Sequence, residues 1–231
     1  MPKPSNPGKH PNRLLAALRP DELAELVPHL QTVALGRQQV LNGTDGSSGR
    51  VYFPWSAIAS MVTTMEDGSS VEVATVGNEG LIGLPETVSM EVRVQVPGEA
   101  SALSESSFRN AVRDGGALRR VVRRYSQALL GHIAQSAACN GRHSVAQRCA
   151  RWLLMAHDRI DGDEYPITQE TLSQMLGVRR ASVTTAANTL QRAGFIRYGR
   201  GVLRIVDRSG LETATCECYR VIRGGHERVI D

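Results

Sequence analysis

The hydrophobic period of this chain changes once, at Gly115-Gly116, and that change limits what each half can fold into. Upstream, residues 31–104 hold short apolar or β-branched runs: Val51-Tyr52-Phe53, Ile58-Ala59-Ser60-Met61-Val62, Val71-Glu72-Val73-Ala74-Thr75-Val76 and Val92-Arg93-Val94-Gln95-Val96. Asp67-Gly68 and Gly98 punctuate them as turn signals. Several strands at such spacing predict a sandwich or barrel. Ahead of them, Leu14, Leu18, Leu23, Leu26 and Leu30 supply one apolar helical face, and Pro20-Asp21-Glu22 reads as a helix start with acids at its positive end. Downstream, Leu118, Val122, Tyr125, Leu129, His132 and Ser136 recur at alternating spacings of four and three, an a/d seam, with Arg119, Arg120, Arg123 and Arg124 turned away from it. The seam predicts a dimerisation helix. The plain alternative is one amphipathic helix lying on its own domain. A length of 231 residues supports two domains rather than one.

Charge divides at the same place. Residues 1–115 carry 9 Lys+Arg against 13 Asp+Glu, and residues 116–231 carry 18 against 10, so a balance of −4 gives way to +8. All the cations of the second half are arginines, and Lys3 and Lys9 are the only lysines. Genome composition could account for the missing lysines but not for the change of sign. A basic half rich in bidentate donors points to a polyanion partner. With 41% hydrophobic residues the chain can bury real cores, and no apolar run approaches the length that crosses a bilayer. The start of the chain is basic and Pro-rich with no apolar segment behind it, so we expect no signal peptide, a cytoplasmic protein with no membrane partner, and reduced thiols at Cys139, Cys149, Cys216 and Cys218.

Residues 167–207 are the most informative. Thr168 can cap a short helix whose buried positions are Leu172, Met175 and Leu176. Gly177-Val178 makes a sharp turn, and a second helix follows from about Arg179, burying Val183, Ala186, Ala187 and Leu190. Gly194 ends that helix. Two short strands then flank Gly199-Arg200-Gly201 as a wing. Helix, tight turn, helix and small hairpin together make a winged helix-turn-helix, whose second helix enters the DNA major groove. The expected contacts are Arg180 and Thr184 at base edges, with Thr168, Gln169, Arg179, Ser182, Thr185, Arg197 and Arg200 completing the DNA-binding face.

"ITQETLSQMLGVRRASVTTAANTLQRAGFIRYGRGVLRIVD" resembles the DNA-binding domain of the Crp/Fnr regulators. "YFPWSAIASMV", "VEVATVGNEGLIGLP" and "VPGEASAL" resemble the β-roll of their cyclic-nucleotide-type sensor. The resemblance implies an α+β chain: an N-terminal β-roll (a double-stranded β-helix), a long dimerisation helix and a C-terminal winged helix-turn-helix. It divides the sequence into a disordered tail at 1–12, a sensor domain at 13–115, the dimerisation helix at 116–140 and the DNA-binding domain at 141–231. It also implies a transcription regulator that binds two-fold symmetric double-stranded promoter DNA as a homodimer, contacts RNA polymerase and is gated by an effector not yet identified.

The resemblance carries an effector site over to Glu79, Gly80, Gly83 and Arg93. The pair that holds the cyclic phosphate in nucleotide-binding relatives aligns with Met90 and Glu91, where a carboxylate would repel phosphate, so cyclic AMP is not the expected ligand. Oxygen-sensing relatives hold an iron–sulfur cluster through N-terminal cysteines. No cysteine precedes Cys139, so no such cluster is expected. On the recognition helix Ala181 and Thr185 replace the usual Glu and Arg while Arg180 remains, which predicts a different operator.

A metalloenzyme on the same β-roll shape is the rival from another class. Residues 30–131 contain neither His nor Cys, which removes the usual ligands from the domain that would need them, so no enzyme and no catalytic residue are expected. Cys216-Glu217-Cys218 invites a metal reading, but two thiols need two further ligands for a tetrahedral site. Cys139, His143 and Cys149 lie elsewhere in sequence with nothing local to join them. The expectation is therefore small, semi-buried thiols and no metal.

Overall fold

A computed structural model describes residues 10–42, 49–84, 90–113 and 115–230. The expected tail at 1–12 lies outside the described residues up to residue 9. Asn12 lies inside the fold: its side-chain oxygen caps α1 (Arg13–Ala16), and its amide donates to the carbonyls of Pro54 and Gly80. Helix α2 (Pro20–Leu26) follows, with Pro20 at its first turn and Asp21 and Glu22 at its positive end.

Two antiparallel sheets then face each other. One has the order β1 (Gln31–Leu35), β7 (Gly98–Ser104), β3 (Arg50–Pro54), and the other β2 (Val40–Asn42), β6 (Glu91–Val96), β4 (Ile58–Thr64), β5 (Ser70–Val76). Inward positions such as Phe53, Ala74, Val94 and Leu103 are buried between them. Among the described strands the chain crosses between these two sheets four times, and two of the crossings form neighbouring corners, between β3 and β4 and between β6 and β7. The corners touch: a Cβ on Gly98 would lie 2.5 Å from the Ala57 nitrogen. Glycine at that point permits the crossing.

After α3 (Glu105–Arg113), the long helix α4 (Ala117–Arg142) packs its apolar stripe on the β domain. Ser144 caps α5 (Val145–His157) in a reciprocal capping box with Gln147. α5 is buried along most of its length and forms the centre of a second core with α6 (Gln169–Leu176), α7 (Arg180–Arg192) and α8 (Arg208–Ala214). A third sheet, β8 (Glu164–Pro166), β10 (Val202–Ile205), β9 (Ile196–Gly199), closes that domain. β8 extends the two-stranded wing expected from sequence to three strands. Helix α9 (Cys218–Glu227) returns to lie along α4 and α5.

The two domains share apolar and polar contacts. Ile58, Val62 and Val96 of the β domain join the core built around Trp152. The Trp152 indole donates to the buried Glu72 carboxylate at 3.1 Å, and Thr75 donates to the same group. No described helix is long and apolar enough to cross a membrane.

Candidate nucleic-acid interface

The Thr168 hydroxyl caps α6 by accepting from the Thr171 amide at 3.0 Å. Gly177 then takes a left-handed φ of 60°, and the Val178 amide closes the turn on the Ser173 carbonyl. A side chain at Gly177 would be strained and would also meet Val71 of β5. These two constraints fix the angle at which α7 leaves. Val183, Ala186, Ala187 and Leu190 lock α7 onto the core, which leaves Arg180, Ala181, Thr185 and Asn188 exposed along one edge.

Arg179 and Arg180 both start that edge and both are exposed. Ser182 is half-buried. The Thr184 hydroxyl lies 2.7 Å from the Gln169 amide oxygen and 3.1 Å from the Arg180 carbonyl, so its single proton is engaged within the protein. That bond orients the Gln169 side chain and leaves the Thr184 oxygen as an acceptor on the half-buried side of the helix. The Thr185 hydroxyl donates to the Ala181 carbonyl in its own helix.

The wing turns through Arg200 and Gly201, with φ of 51° and 77°. Two successive left-handed residues make the hairpin turn whose twist suits antiparallel strands, and arginine there bears a cost that glycine would avoid. Arg197 stands opposite Arg204 in the β9–β10 register. Like charges directly across a strand pair repel. Arg204 is drawn to Glu164 at 3.5 Å, while Arg197 and Arg200 are exposed at the wing. Arg179, Arg180, Arg197 and Arg200 thus all stand exposed on one helix start and its adjacent wing, beside the small side chains of Ala181, Thr185 and Asn188.

Residues 147–214 match the model of the Crp-like helix-turn-helix domain. They form a Crp-like helix-turn-helix domain. Over 81% of its length the chain has the fold of the Crp/Fnr regulators. FixK2 from Bradyrhizobium japonicum superposes with a TM-score of 0.69 at 16% identity, over 81% of this chain and 98% of its own. TTHB099, a Crp-family transcriptional regulator from Thermus thermophilus, gives 0.63 at 16%, over 79% and 95%. The c-di-GMP-responsive regulator CLP from Xanthomonas campestris gives 0.58 at 14%, over 81% and 99%. No curated protein matches the chain by sequence.

The residues expected at an effector site are already engaged. Glu79 is buried and forms a bidentate ion pair with Arg159 of the Crp-like domain, 2.7 Å at its shortest. Burial alone would raise the Glu79 carboxyl, but Arg159 and, at longer range, His226 hold it below the usual carboxylate range. A Cβ on Gly80 would meet the Tyr125 hydroxyl at 2.7 Å, and that hydroxyl donates to the Leu81 carbonyl, so the turn is sealed against α4. Gly83 is half-buried with a φ of 86°. Arg93 pairs with Glu91 two residues away on the same strand face, with Nε–Oε1 at 2.7 Å. Sequence alone did not indicate Arg159 as the partner of Glu79, because the two are 80 residues apart.

The seam residues also turn inward. Leu118, Tyr125, Leu129, His132 and Ser136 are buried within the protomer and Val122 is half-buried. This corrects their assignment to a dimer interface: the β domain and α9 cover that face, with His132 meeting His226 at 3.3 Å. The expectation that the cysteines stay apart is corrected too. Cys139 and His143, at the end of α4, meet Cys216 and Cys218, at the entry to α9.

Proposed function

We propose that this chain is a DNA-binding transcription regulator of Crp/Fnr type that binds promoter DNA as a homodimer. The observation that carries this reading is the exposed edge of α7, flanked by Arg179, Arg180 and the wing arginines. Arg180 reads base edges from the start of the recognition helix, where its fork can donate to guanine O6 and N7. Arg179, Ser182, Arg197 and Arg200 hold phosphates, and Thr168 and Gln169 approach from the start of α6. Ala181 and Thr185, both small, leave room for a base-pair step that a larger pair of side chains would close.

The partner protomer docks on the outward face of α4. Arg123, Gln127, Leu130, Ala134, Ala137 and Gly141 repeat at spacings of four and three along that exposed face, and Leu130 is 68% exposed. Leu130 followed by the small Ala134, Ala137 and Gly141 lets a second copy of the helix approach closely along that part of the face. RNA polymerase contact follows from the resemblance to the family, as does location inside the cell. Any effector acts elsewhere than through a free Glu79. Selection of duplexes from random DNA by the full-length protein tests the function directly. Enrichment of a two-fold symmetric site with steep salt dependence is expected, and recovery of no sequence preference would defeat the reading.

A further inference from the structure

Four metal-binding side chains that are far apart in sequence come together where α4 ends and α9 begins. Cys139 and His143 are one turn apart at the C-terminus of α4, and Cys216 and Cys218 bracket the entry to α9. The Cys139 and Cys216 sulfurs lie 3.6 Å apart, as do the Cys218 sulfur and His143 Nδ1, and all four ligand atoms fall within 4.8 Å of one another. A tetrahedron with zinc–sulfur bonds of about 2.3 Å and zinc–nitrogen bonds of about 2.0–2.1 Å has edges of roughly 3.5–3.8 Å. The two 3.6 Å contacts match the edges of a single-ion site. A cluster of several irons would place its cysteines on different metal atoms and spread them more widely.

The surroundings point the same way. His143 Nε2, the ring nitrogen not facing the sulfurs, is 3.3 Å from the Glu217 carboxylate, the arrangement that orients a ligating imidazole. The Gln135 amide donates to the Cys218 sulfur at 3.0 Å. Arg148 and Arg151 are buried, and among the described residues neither pairs with a carboxylate. They bond instead to neutral groups, the Leu176 carbonyl and the Ser136 hydroxyl, and the Nε of each has no partner. Both lie within electrostatic reach of Cys139. A buried cation calls for a counter-charge. A divalent ion with three thiolates and one neutral imidazole carries a net charge of −1, which supplies it.

We propose that Cys139, His143, Cys216 and Cys218 bind one divalent zinc-type ion with a Cys3His shell. The ion ties the last turn of α4, and the residue where the chain turns into the Crp-like domain, to the C-terminal helix. Its role is structural, since protein ligands fill all four positions and leave none open for substrate.

The test uses the full-length protein, purified under reducing conditions and analysed for metal by mass spectrometry. One equivalent of zinc per chain is expected. Cobalt added to metal-free protein should give the intense visible bands and thiolate charge-transfer absorption of a tetrahedral sulfur-rich site. Cys216→Ser and His143→Ala should lose the bound metal or bind it at least tenfold more weakly. Cys149→Ser, which removes a buried thiol outside the cluster, should keep the full equivalent. If the ligand variants do not fold, X-ray absorption on the wild-type protein decides, with three sulfurs and one nitrogen expected in the shell. An all-oxygen-and-nitrogen shell, iron with inorganic sulfide, a Cys139–Cys216 disulfide in place of metal, or no bound metal under any loading would each overturn the proposal.

Discussion

Glu79 of the β domain and Arg159 of the Crp-like domain form a bidentate ion pair in which both side chains are only 6% exposed. The pair bridges the two domains at the turn expected from sequence to form part of an effector site. Removing one partner leaves the other charge buried and uncompensated, which typically costs about 3–5 kcal/mol. Glu79→Gln should therefore lower the unfolding free energy by an amount in that range, measured by urea denaturation. Replacing both residues, Glu79→Leu with Arg159→Met, should cost clearly less than the single change. A single variant within about 0.5 kcal/mol of wild type, the scatter of ordinary surface substitutions, would show that the bridge contributes nothing net.

Acid should weaken the fold through two buried sites. Burial lowers the His132 imidazole well below its usual value, reinforced by His226, Arg159 and Arg151. Burial also lowers His226, with Arg159 and Arg13 acting in the same direction and Glu79 opposing. The folded state thus holds fewer protons than the unfolded one just below the usual histidine value of about 6.5, so stability is full above it and falls as pH drops. Glu79, itself held low, adds a second loss below the usual carboxylate range. Thermal unfolding between about pH 7 and about pH 5, which spans the usual histidine value, should show a falling Tm. His132→Gln should flatten that slope. An unchanged slope in the variant would place the titrating group elsewhere.

Adjacent leucines on α4 should behave differently. Leu129 is 7% exposed inside the protomer and Leu130 is 68% exposed outside it. Leu130→Glu should give folded monomers, read as a halved mass in sedimentation with an unchanged circular dichroism spectrum. Leu129→Glu should instead destabilise the protomer, since it buries an unpaired charge in the core. A Leu130→Glu protein that still sediments as a dimer would move the interface off this face.

Base reading and anchoring should separate. Neighbouring residues at a helix start point about 100° apart, so Arg179 and Arg180 cannot both enter the groove. Arg180→Ala should lose about 1–3 kcal/mol of discrimination at one base pair in each half-site. Arg200→Ala should weaken all duplexes alike and make the salt slope shallower by roughly one unit for each phosphate left without its cation. Titration of both variants against the selected operator and its single-base variants checks this. Uniform loss on removing Arg180, with base preferences intact, would shift the recognition face to other residues.

Neither cyclic AMP nor cyclic GMP should bind at physiological concentration. Glu79 is neutralised by Arg159, Arg93 by Glu91, and the Gly80 turn is packed against Tyr125. Calorimetry that found micromolar binding of either nucleotide would refute this.

Local chemistry determined the elements. Thr168 with Gly177 sets the ends of α6, the Val183–Leu190 spacing sets the buried face of α7, and Arg200-Gly201 sets the wing; each depends on residues within a turn or two of one another. The sequence also marked Arg180 and the wing arginines as an exposed basic edge. The period along α4 revealed that one face is buried, but a seam of Leu118, Tyr125 and Leu129 has the same spacing whether its cover is a second copy or the chain's own β domain. Only the tertiary structure decided between these, because the choice depends on where strands far off in sequence close their core. The same holds for polar groups. Glu79 lies 80 residues from Arg159, and Cys139 lies 77 residues from Cys216. The residue types advertise chemistry, but whether they meet is set by how α4, α5 and α9 pack, and no local spacing encodes that.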